Sequence, residues 1–171
     1  HPRFRLELRR LGTAEQLREV AAGQLQVGVV RLHDREVSGL RRELVFRDVY
    51  CLCMRAGDAL AQRRRVSLRQ LDGRELIGFS REAQPELYDA LHRCLRGAGA
   101  RVNEVQVVAT KEEAIAFVRA GLGVAIVPSS SRVDSTDLVF RPLVGDLPPV
   151  LVYAVFSQLA SPATLEFVAG L

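Results

Sequence analysis

The chain has 171 residues, of which 48% are hydrophobic and 26% charged, a composition typical of one globular domain or two small lobes. No apolar run approaches the roughly 20 residues of a membrane-spanning helix, so we expect no segment that crosses a bilayer. The net charge of +4 comes from scattered arginines. Their one cluster, residues 63–65, has no aromatic neighbours for base stacking, so we do not expect this chain to bind DNA by itself.

The first predicted elements follow from an alternation of apolar and charged residues and from a helix start. Residues 4–8 alternate strictly, which predicts a half-buried strand. Thr13 with Gln16 three residues later is typical of a capped helix, and Gly23 of a helix end. An apolar run ending at Arg31 predicts a buried strand. The elements expected here are a strand over 4–8, a helix over 13–23 and a strand over 25–30, which together form a parallel βαβ unit.

The rest of the chain alternates between predicted strands and helices, which is typical of an α/β fold. Thr110 and Ser161 stand where helix caps are expected, and Pro162 suits a first helical position. The predicted strands lie at 43–46, 48–54, 76–79, 105–109, 124–127, 138–143 and 150–156, the helices at 85–97, 111–120 and from 162 onward, and a loop with a short helical piece at 57–71.

The three cysteines are an odd number and give no disulfide framework. Cys51 and Cys53 are two apart in a predicted strand, which aims both thiols at the same face. A metal site would need further ligands, and Cys94, His33 and His92 have no metal-type spacing. We therefore expect buried free thiols in a reducing compartment, and no metal site.

Enzyme motifs are not found in the sequence, which has no GxSxG, HExxH, P-loop or CxxC pattern. Gly121 and Gly123 follow a predicted helix and precede a predicted strand, which is the wrong order for a dinucleotide fingerprint and favours a helix end. Neither His33 nor His92 lies in a nucleophile pattern. We expect no catalytic activity and no cofactor, but catalytic groups can meet in space, so an enzyme stays an alternative.

Hydroxyl side chains stand at Thr13, Ser80 and Thr110, where predicted strands pass into helices. In parallel α/β folds the carboxyl ends of strands gather at one edge, where ligands bind. The free amides and the dipole of a helix start favour an anion. Each residue alone could simply cap its helix; the three together predict an anion-binding site.

Several segments, in order, resemble the effector-binding domain of LysR-type transcriptional regulators. Ala59 departs from the family pattern, which has proline there. The matching segments are LELRRLGTAEQL at 6–17, GQLQVGVVR at 23–31, RAGDALA at 55–61 (similar to "DHPLA"), VSLRQL at 66–71 (similar to "VSLADL") and VRAGLGVAIVPS at 118–129 (similar to "VAAGLGVALVPAS").

This resemblance implies a two-lobed, periplasmic-binding-protein-like (type 2) α/β fold with mixed, mainly parallel sheets and a small effector in the interlobe cleft. Lobe I would comprise residues 1–48 and 149–171, and lobe II residues 49–148. The family's first strand and helix of lobe I would come before these residues, so we expect them to be missing. A transport-type solute-binding protein and an enzyme with the same fold are the alternatives.

The resemblance also implies partners and ligand contacts. The chain would form a homodimer through the strand at 4–8 and the helices at 13–23 and 85–96, with Tyr88 and His92 on an adjoining face, and a tetramer in the full-length regulator. DNA would be bound only by an N-terminal winged helix–turn–helix domain, in the cytoplasm and without membrane contact. The expected effector contacts are Thr13, Phe79, Ser80, Arg81, Thr110 and Pro128, with Arg31 placed to pair with a carboxylate.

Overall fold

The structure is a computed structural model that describes residues 5–32, 37–82 and 85–171. The chain divides into two compact units. Unit 1 comprises His1–Arg47 and Leu151–Leu171, and unit 2 comprises Asp48–Val150. In the described part of the chain, no helix is both long and apolar enough to cross a membrane.

Helices and strands follow one another throughout the described chain, joined by short turns. Two short 3₁₀ helices, Leu68–Leu71 and Ser129–Ser131, lie between them. In chain order the elements are α1 (Thr13–Ala21), β1 (Val27–Arg31), β2 (Leu40–Asp48), β3 (Tyr50–Arg55), β4 (Val66–Ser67), β5 (Glu75–Phe79), α2 (Pro85–Gly97), β6 (Asn103–Val108), α3 (Lys111–Arg119), β7 (Val124–Pro128), β8 (Leu138–Val144), β9 (Val150–Ser157) and α4 (Pro162–Ala169).

Unit 1 is built on a three-stranded sheet in the order β1-β9-β2. β1 runs antiparallel to β9, with Gly28 opposite Val155. α1 packs closely on β1, because a Cβ at Gly28 would lie 3.2 Å from Gln16 Oε1 and 3.5 Å from Val20 Cγ2. On α4, Ser161 caps the helix by accepting a hydrogen bond from Thr164 N at 3.2 Å, as predicted.

The predicted strand over residues 4–8 and its parallel βαβ unit are wrong. Phe4 lies outside the described residues, residues 5–8 form no strand, and Leu8 is 90% exposed. An alternating pattern forms a strand only where a neighbouring strand accepts and donates its hydrogen bonds. Within the described chain no strand pairs with this segment, and β1 pairs with β9 antiparallel.

The start of α1 also differs from the prediction. Gly12 rather than Thr13 is the N-cap, and no side chain caps this helix. Gln16 turns back to donate to Leu11 O at 2.9 Å instead of completing a capping box. The helix ends as expected, since Gly23 has a φ of 72°, in the left-handed region that favours glycine.

Unit 2 is built on a six-stranded mixed sheet in the order β4-β8-β3-β7-β5-β6. β5 runs parallel to both of its neighbours, β6 and β7, whereas β3 runs antiparallel to β7 and β8. This confirms the predicted mixed α/β fold. The two-residue strand β4 was missed and lies inside the predicted loop at 57–71, because so short a strand has no alternation to detect.

The two faces of β3 bury different cores. Leu52 and Met54 belong to one cluster, while Cys51 and Cys53 belong to the cluster on the opposite face, and all four are fully buried. Burial raises the pKa of the Cys51 thiol to about 11 and that of Cys53 to about 12. Both cysteines are free thiols, as predicted, and they remain protonated at neutral pH.

Gly121 and Gly123 end α3 and start β7 for two separate reasons. Gly121 has a φ of 87°, in the left-handed region that favours glycine, and this conformation ends α3. A Cβ at Gly123 would lie 2.6 Å from the backbone oxygen of Glu75, so this residue allows β7 to start close beside β5. The glycine pair is thus a helix end, as predicted, and not a dinucleotide fingerprint.

Candidate functional site

The carboxyl ends of β5, β6 and β7 lie at one edge of the sheet of unit 2. Phe79 pairs with Val108 of β6, and Ser80 N donates to Val108 O at 3.0 Å. Because the three strands are parallel neighbours, the residues that follow them come together at this edge. We call it the strand-end edge; it consists of Ser80, Arg81, Thr110 and Pro128.

Of the two hydroxyl groups at this edge, that of Thr110 forms a hydrogen bond and that of Ser80 does not, within the described part of the chain. Ser80 is half-buried. Phe79, one residue earlier, is also half-buried and packs against the core cluster that contains Cys51 and Cys53. Ser80 is therefore the residue of this pair whose side chain carries a polar group without a partner among the described residues.

The start of α3 holds one of the protein's own carboxylates. Thr110 Oγ1 accepts from Glu113 N at 3.2 Å, while Ala109 N and Thr110 N donate to Glu113 Oε2 at 3.0 and 3.3 Å. This capping box confirms Thr110 as a helix cap. Glu113 thus satisfies the amides of Ala109 and Thr110, and Thr110 satisfies that of Glu113, so the cap accounts for Thr110 without a ligand.

Arg81 forms a two-pronged ion pair with a residue of α2. Its Nε and Nη2 donate to Asp89 Oδ1 and Oδ2, each at 2.9 Å. Hydrogen bonding to Arg81 lowers the pKa of Asp89 and raises that of Arg81. Both side chains are exposed. The guanidinium expected to bind the effector is paired with an internal carboxylate in this structure.

A buried carboxylate fixes the chain just beyond Pro128. Asp48 is 8% exposed. It accepts hydrogen bonds from Ser129 Oγ, from Ser130 N at 3.0 Å and from Val49 N at 2.8 Å. Asp48 thereby holds the turn after β7 against the start of β3. Sequence reasoning missed it; the signal was an acidic residue within a run of strand-forming residues.

These hydrogen bonds predict an acid-dependent loss of stability. Burial would raise the pKa of Asp48, but hydrogen bonds from the two serines and Val49 lower it from 3.8 to about 2. A lowered folded-state pKa means that the carboxylate adds stability above pH 4, which is lost as the pH falls towards 2. We expect Asp48→Asn to reduce the free energy of unfolding by about 2 kcal/mol at pH 7. Urea unfolding should show this difference shrinking between pH 4 and pH 2; a difference independent of pH would contradict the assignment.

The remaining predicted contacts belong to unit 1. Thr13 is exposed at the first position of α1. Arg31 ends β1 opposite Val152, and its Nε is buried with no acceptor among the described residues. His33 lies outside the described residues. The part of Thr13 and Arg31 in ligand binding stays a prediction.

Tyr88 and His92 of α2 share one partner on β6. Tyr88 Oη donates to Glu104 Oε2 at 3.1 Å, His92 Nε2 lies 3.2 Å from Glu104 Oε1, and the two rings are 4.1 Å apart. The Glu104 carboxylate covers Gly78, where a Cβ would collide with it. Both side chains therefore tie α2 to an edge strand of their own unit. Among the described residues, no three His, Cys, Asp or Glu side chains are grouped as metal ligands would be.

A family model described as LysR substrate binding domain matches residues 1–171. The chain belongs to this LysR family. The HTH-type transcriptional regulator AlsR of Bacillus subtilis (strain 168) is 27% identical over 142 residues, which cover 82% of this chain and 46% of AlsR. The HTH-type transcriptional regulator TtuA of Agrobacterium vitis is 32% identical over 114 residues, 64% of this chain and 36% of TtuA. The chain thus spans about half the length, or less, of these relatives, which are named as regulators and not as enzymes.

Solved structures of LysR proteins share the fold of this LysR domain. CbnR, a LysR family transcriptional regulator, matches with a TM-score of 0.81 at 24% identity, over 95% of this chain and 57% of CbnR. The BenM effector binding domain with its effector benzoate matches with a TM-score of 0.80 at 21% identity, over 99% of this chain and 79% of that chain. These matches confirm the two-lobed periplasmic-binding-protein-like fold class that the resemblance implied.

Within this LysR domain, the sequence predicted the residues that follow the strand ends but not the side chains with which they pair. The structure brings Ser80, Arg81, Thr110 and Pro128 to one edge, as parallel strands require. Asp89 was not singled out, because nothing in the eight-residue spacing from Arg81 predicts that the two side chains meet.

Proposed function

We propose that this chain is the effector-sensing part of a LysR-type transcription regulator and that it binds a small anionic metabolite. The observation that carries the proposal is the family match over residues 1–171. DNA would be bound by a winged helix–turn–helix domain N-terminal to it, in the cytoplasm, and the chain would act by binding without catalysis. The two lobes are proposed as residues 1–48 with 149–171, and residues 49–148.

The strand-end edge of unit 2 supports an anion as the ligand. Ser80 offers a hydroxyl that makes no hydrogen bond in the described chain, and the next residue, Arg81, carries a guanidinium that Asp89 holds in this structure. A carboxylate accepts hydrogen bonds from both kinds of donor. Phe79, Thr110 and Pro128 of unit 2, and Thr13 and Arg31 of unit 1, are the other proposed contacts.

The binding proposal predicts stabilisation by a small acid. A ligand at ten times its dissociation constant should raise the free energy of unfolding by about 1.4 kcal/mol, because it binds only the folded chain. A thermal-shift screen of small aliphatic and aromatic acids, each beside its neutral amide, would detect this. Stabilisation by an acid and not by its amide is expected; a panel in which no acid stabilises the chain would contradict the proposal.

We also propose that the chain forms a homodimer, and a tetramer in the full-length regulator. Of the predicted dimer surface, residues 5–8 form no strand, so α1 and α2 carry this proposal. Sedimentation velocity at micromolar concentration would test it, and a monomer would contradict dimerisation by this chain alone.

A further inference from the structure

We propose that Asp89 is an internal competitor of the ligand: it occupies the Arg81 guanidinium until a ligand carboxylate replaces it. The proposal rests on the proposed function, because it gives Arg81 to an acid at the strand-end edge. It adds a specificity-determining residue on α2 that would set how tightly acids bind in preference to neutral molecules.

The geometry of the pair is that of a bound acid. Arg81 Nε and Nη2 make two parallel hydrogen bonds of 2.9 Å to the two oxygens of Asp89. A carboxylate ligand that binds side-on, through Nε and Nη2 as Asp89 does, would need the same pair of donors, whereas one bound end-on through Nη1 and Nη2 would not. These donors cannot serve both carboxylates at once, so binding in this arrangement requires Asp89 to leave.

The exposure of the pair makes such an exchange possible. The Arg81 and Asp89 side chains are 64% and 47% exposed, so water and a dissolved acid can reach both. Exposed ion pairs hold together weakly, and opening one reduces ligand affinity by a few-fold at most. Asp89 therefore adjusts the affinity of the site without closing it.

The neighbouring charges give Asp89 a second effect of the same sign. Arg81, Arg93 and Arg96 all act on its carboxylate and lower its pKa. Asp89 is therefore a negative charge among three cations, and removing it would leave the positive charge of this region less compensated. Both effects predict tighter binding of anions when Asp89 loses its charge.

Asp89→Asn is the variant that tests the competition, because asparagine keeps the size of the side chain and removes the charge. Asp137→Asn is the matched control. It breaks a similar exposed pair, Arg119 Nε to Asp137 Oδ2 at 3.0 Å. Arg119 is the last residue of α3, which precedes β7 in the chain. The pair therefore lies near the start of β7, whereas Pro128 is at its end. Both variants lose one negative charge, so a general charge effect would appear in both.

The probes are benzoate, the acid bound in the BenM effector binding domain, and neutral benzamide. Each is titrated into the whole chain while NMR follows the Arg81 Nε–H signal. We expect Asp89→Asn to bind benzoate up to about fivefold more tightly than the wild type, with no change for benzamide. Asp137→Asn should match the wild type, and Arg81→Gln with Asp89→Asn should lose the gain.

Each outcome decides the proposal. Equal benzoate affinity in the wild type and Asp89→Asn would overturn the competition, while a loss of affinity in Ser80→Ala would leave the proposed site standing. The competition would also be overturned if benzoate shifted the Arg81 Nε–H signal in neither the wild type nor Asp89→Asn, because removing a competitor has to make Arg81 more accessible. If Asp137→Asn also bound benzoate more tightly, the gain in affinity would be explained by overall charge, and the competition would be overturned. Unfolding in urea confirms that each variant is folded.

Discussion

Ser80→Ala is expected to weaken the binding of an acid ligand by about tenfold or more while leaving the stability of the chain unchanged. The Ser80 hydroxyl makes no hydrogen bond within the described chain, so its removal leaves no group of the described residues unpaired. A hydrogen bond to a charged acceptor contributes about 1.5–3 kcal/mol, which corresponds to a tenfold or larger change in affinity. Calorimetric titration with an acid found in the screen would measure the loss.

Ser157→Ala is the matched control for this experiment. Ser157 also stands at the end of a strand, β9 in unit 1, where its Oγ accepts from Leu159 N at 3.1 Å. This variant should bind the acid as the wild type does. Equal affinities for the wild type and Ser80→Ala would show that the ligand does not contact this hydroxyl, and that the site is misplaced.

Leu52→Ala should give the largest loss of stability, about 2–5 kcal/mol in the free energy of unfolding. Leu52 is fully buried on β3, which lies between β7 and β8. Its cluster joins side chains from the sheet with Leu91 and Leu95 of α2. Truncation removes buried methyl groups and leaves a cavity that this packing cannot refill.

Leu159→Ala makes the same chemical change at a residue that is 94% exposed. Because almost no apolar surface is lost from the core, its free energy of unfolding should stay within about 0.5 kcal/mol of the wild type. Urea unfolding of both variants would give the comparison. A loss of less than about 1 kcal/mol for Leu52→Ala would contradict the view that β3 anchors the core of unit 2.

Elements whose signals are local could be predicted from the sequence. Thr110 and Ser161 cap their helices with their own side chains, and Gly23 supplies the left-handed residue after α1. The alternation along β3 correctly separated Cys51 and Cys53 from the side chains on the opposite face. Each of these features is set by residues within a few positions of one another, which is why the sequence alone indicates them.

Features that depend on distant residues were missed or wrong. The segment at 5–8 alternates like a strand, but no described strand pairs with it. Asp48 meets Ser129 across 81 residues, and its carboxylate had no motif to mark it. Contacts of this kind depend on how the sheet is assembled, which periodicity does not reveal.

The candidate site was predicted in part. The rule that parallel strand ends share an edge placed Ser80 and Thr110 together correctly. The expectation of free amides at Thr110 did not hold, although the spacing of Thr110 and Glu113 is itself the capping-box pattern. That spacing indicates that Glu113 occupies these amides, which leaves Ser80 and Arg81 as the stronger candidates of this edge.

The claim that this chain senses a small anion is tested most directly by calorimetric titration of one acid and its carboxamide into the chain at the same pH. The two molecules have nearly the same shape and differ in charge. The proposal predicts saturable binding of one acid per chain, with the carboxamide at least tenfold weaker, since a hydrogen-bonded charge is lost. Equal affinities for the two, or no saturable binding by any acid of the panel, would contradict it.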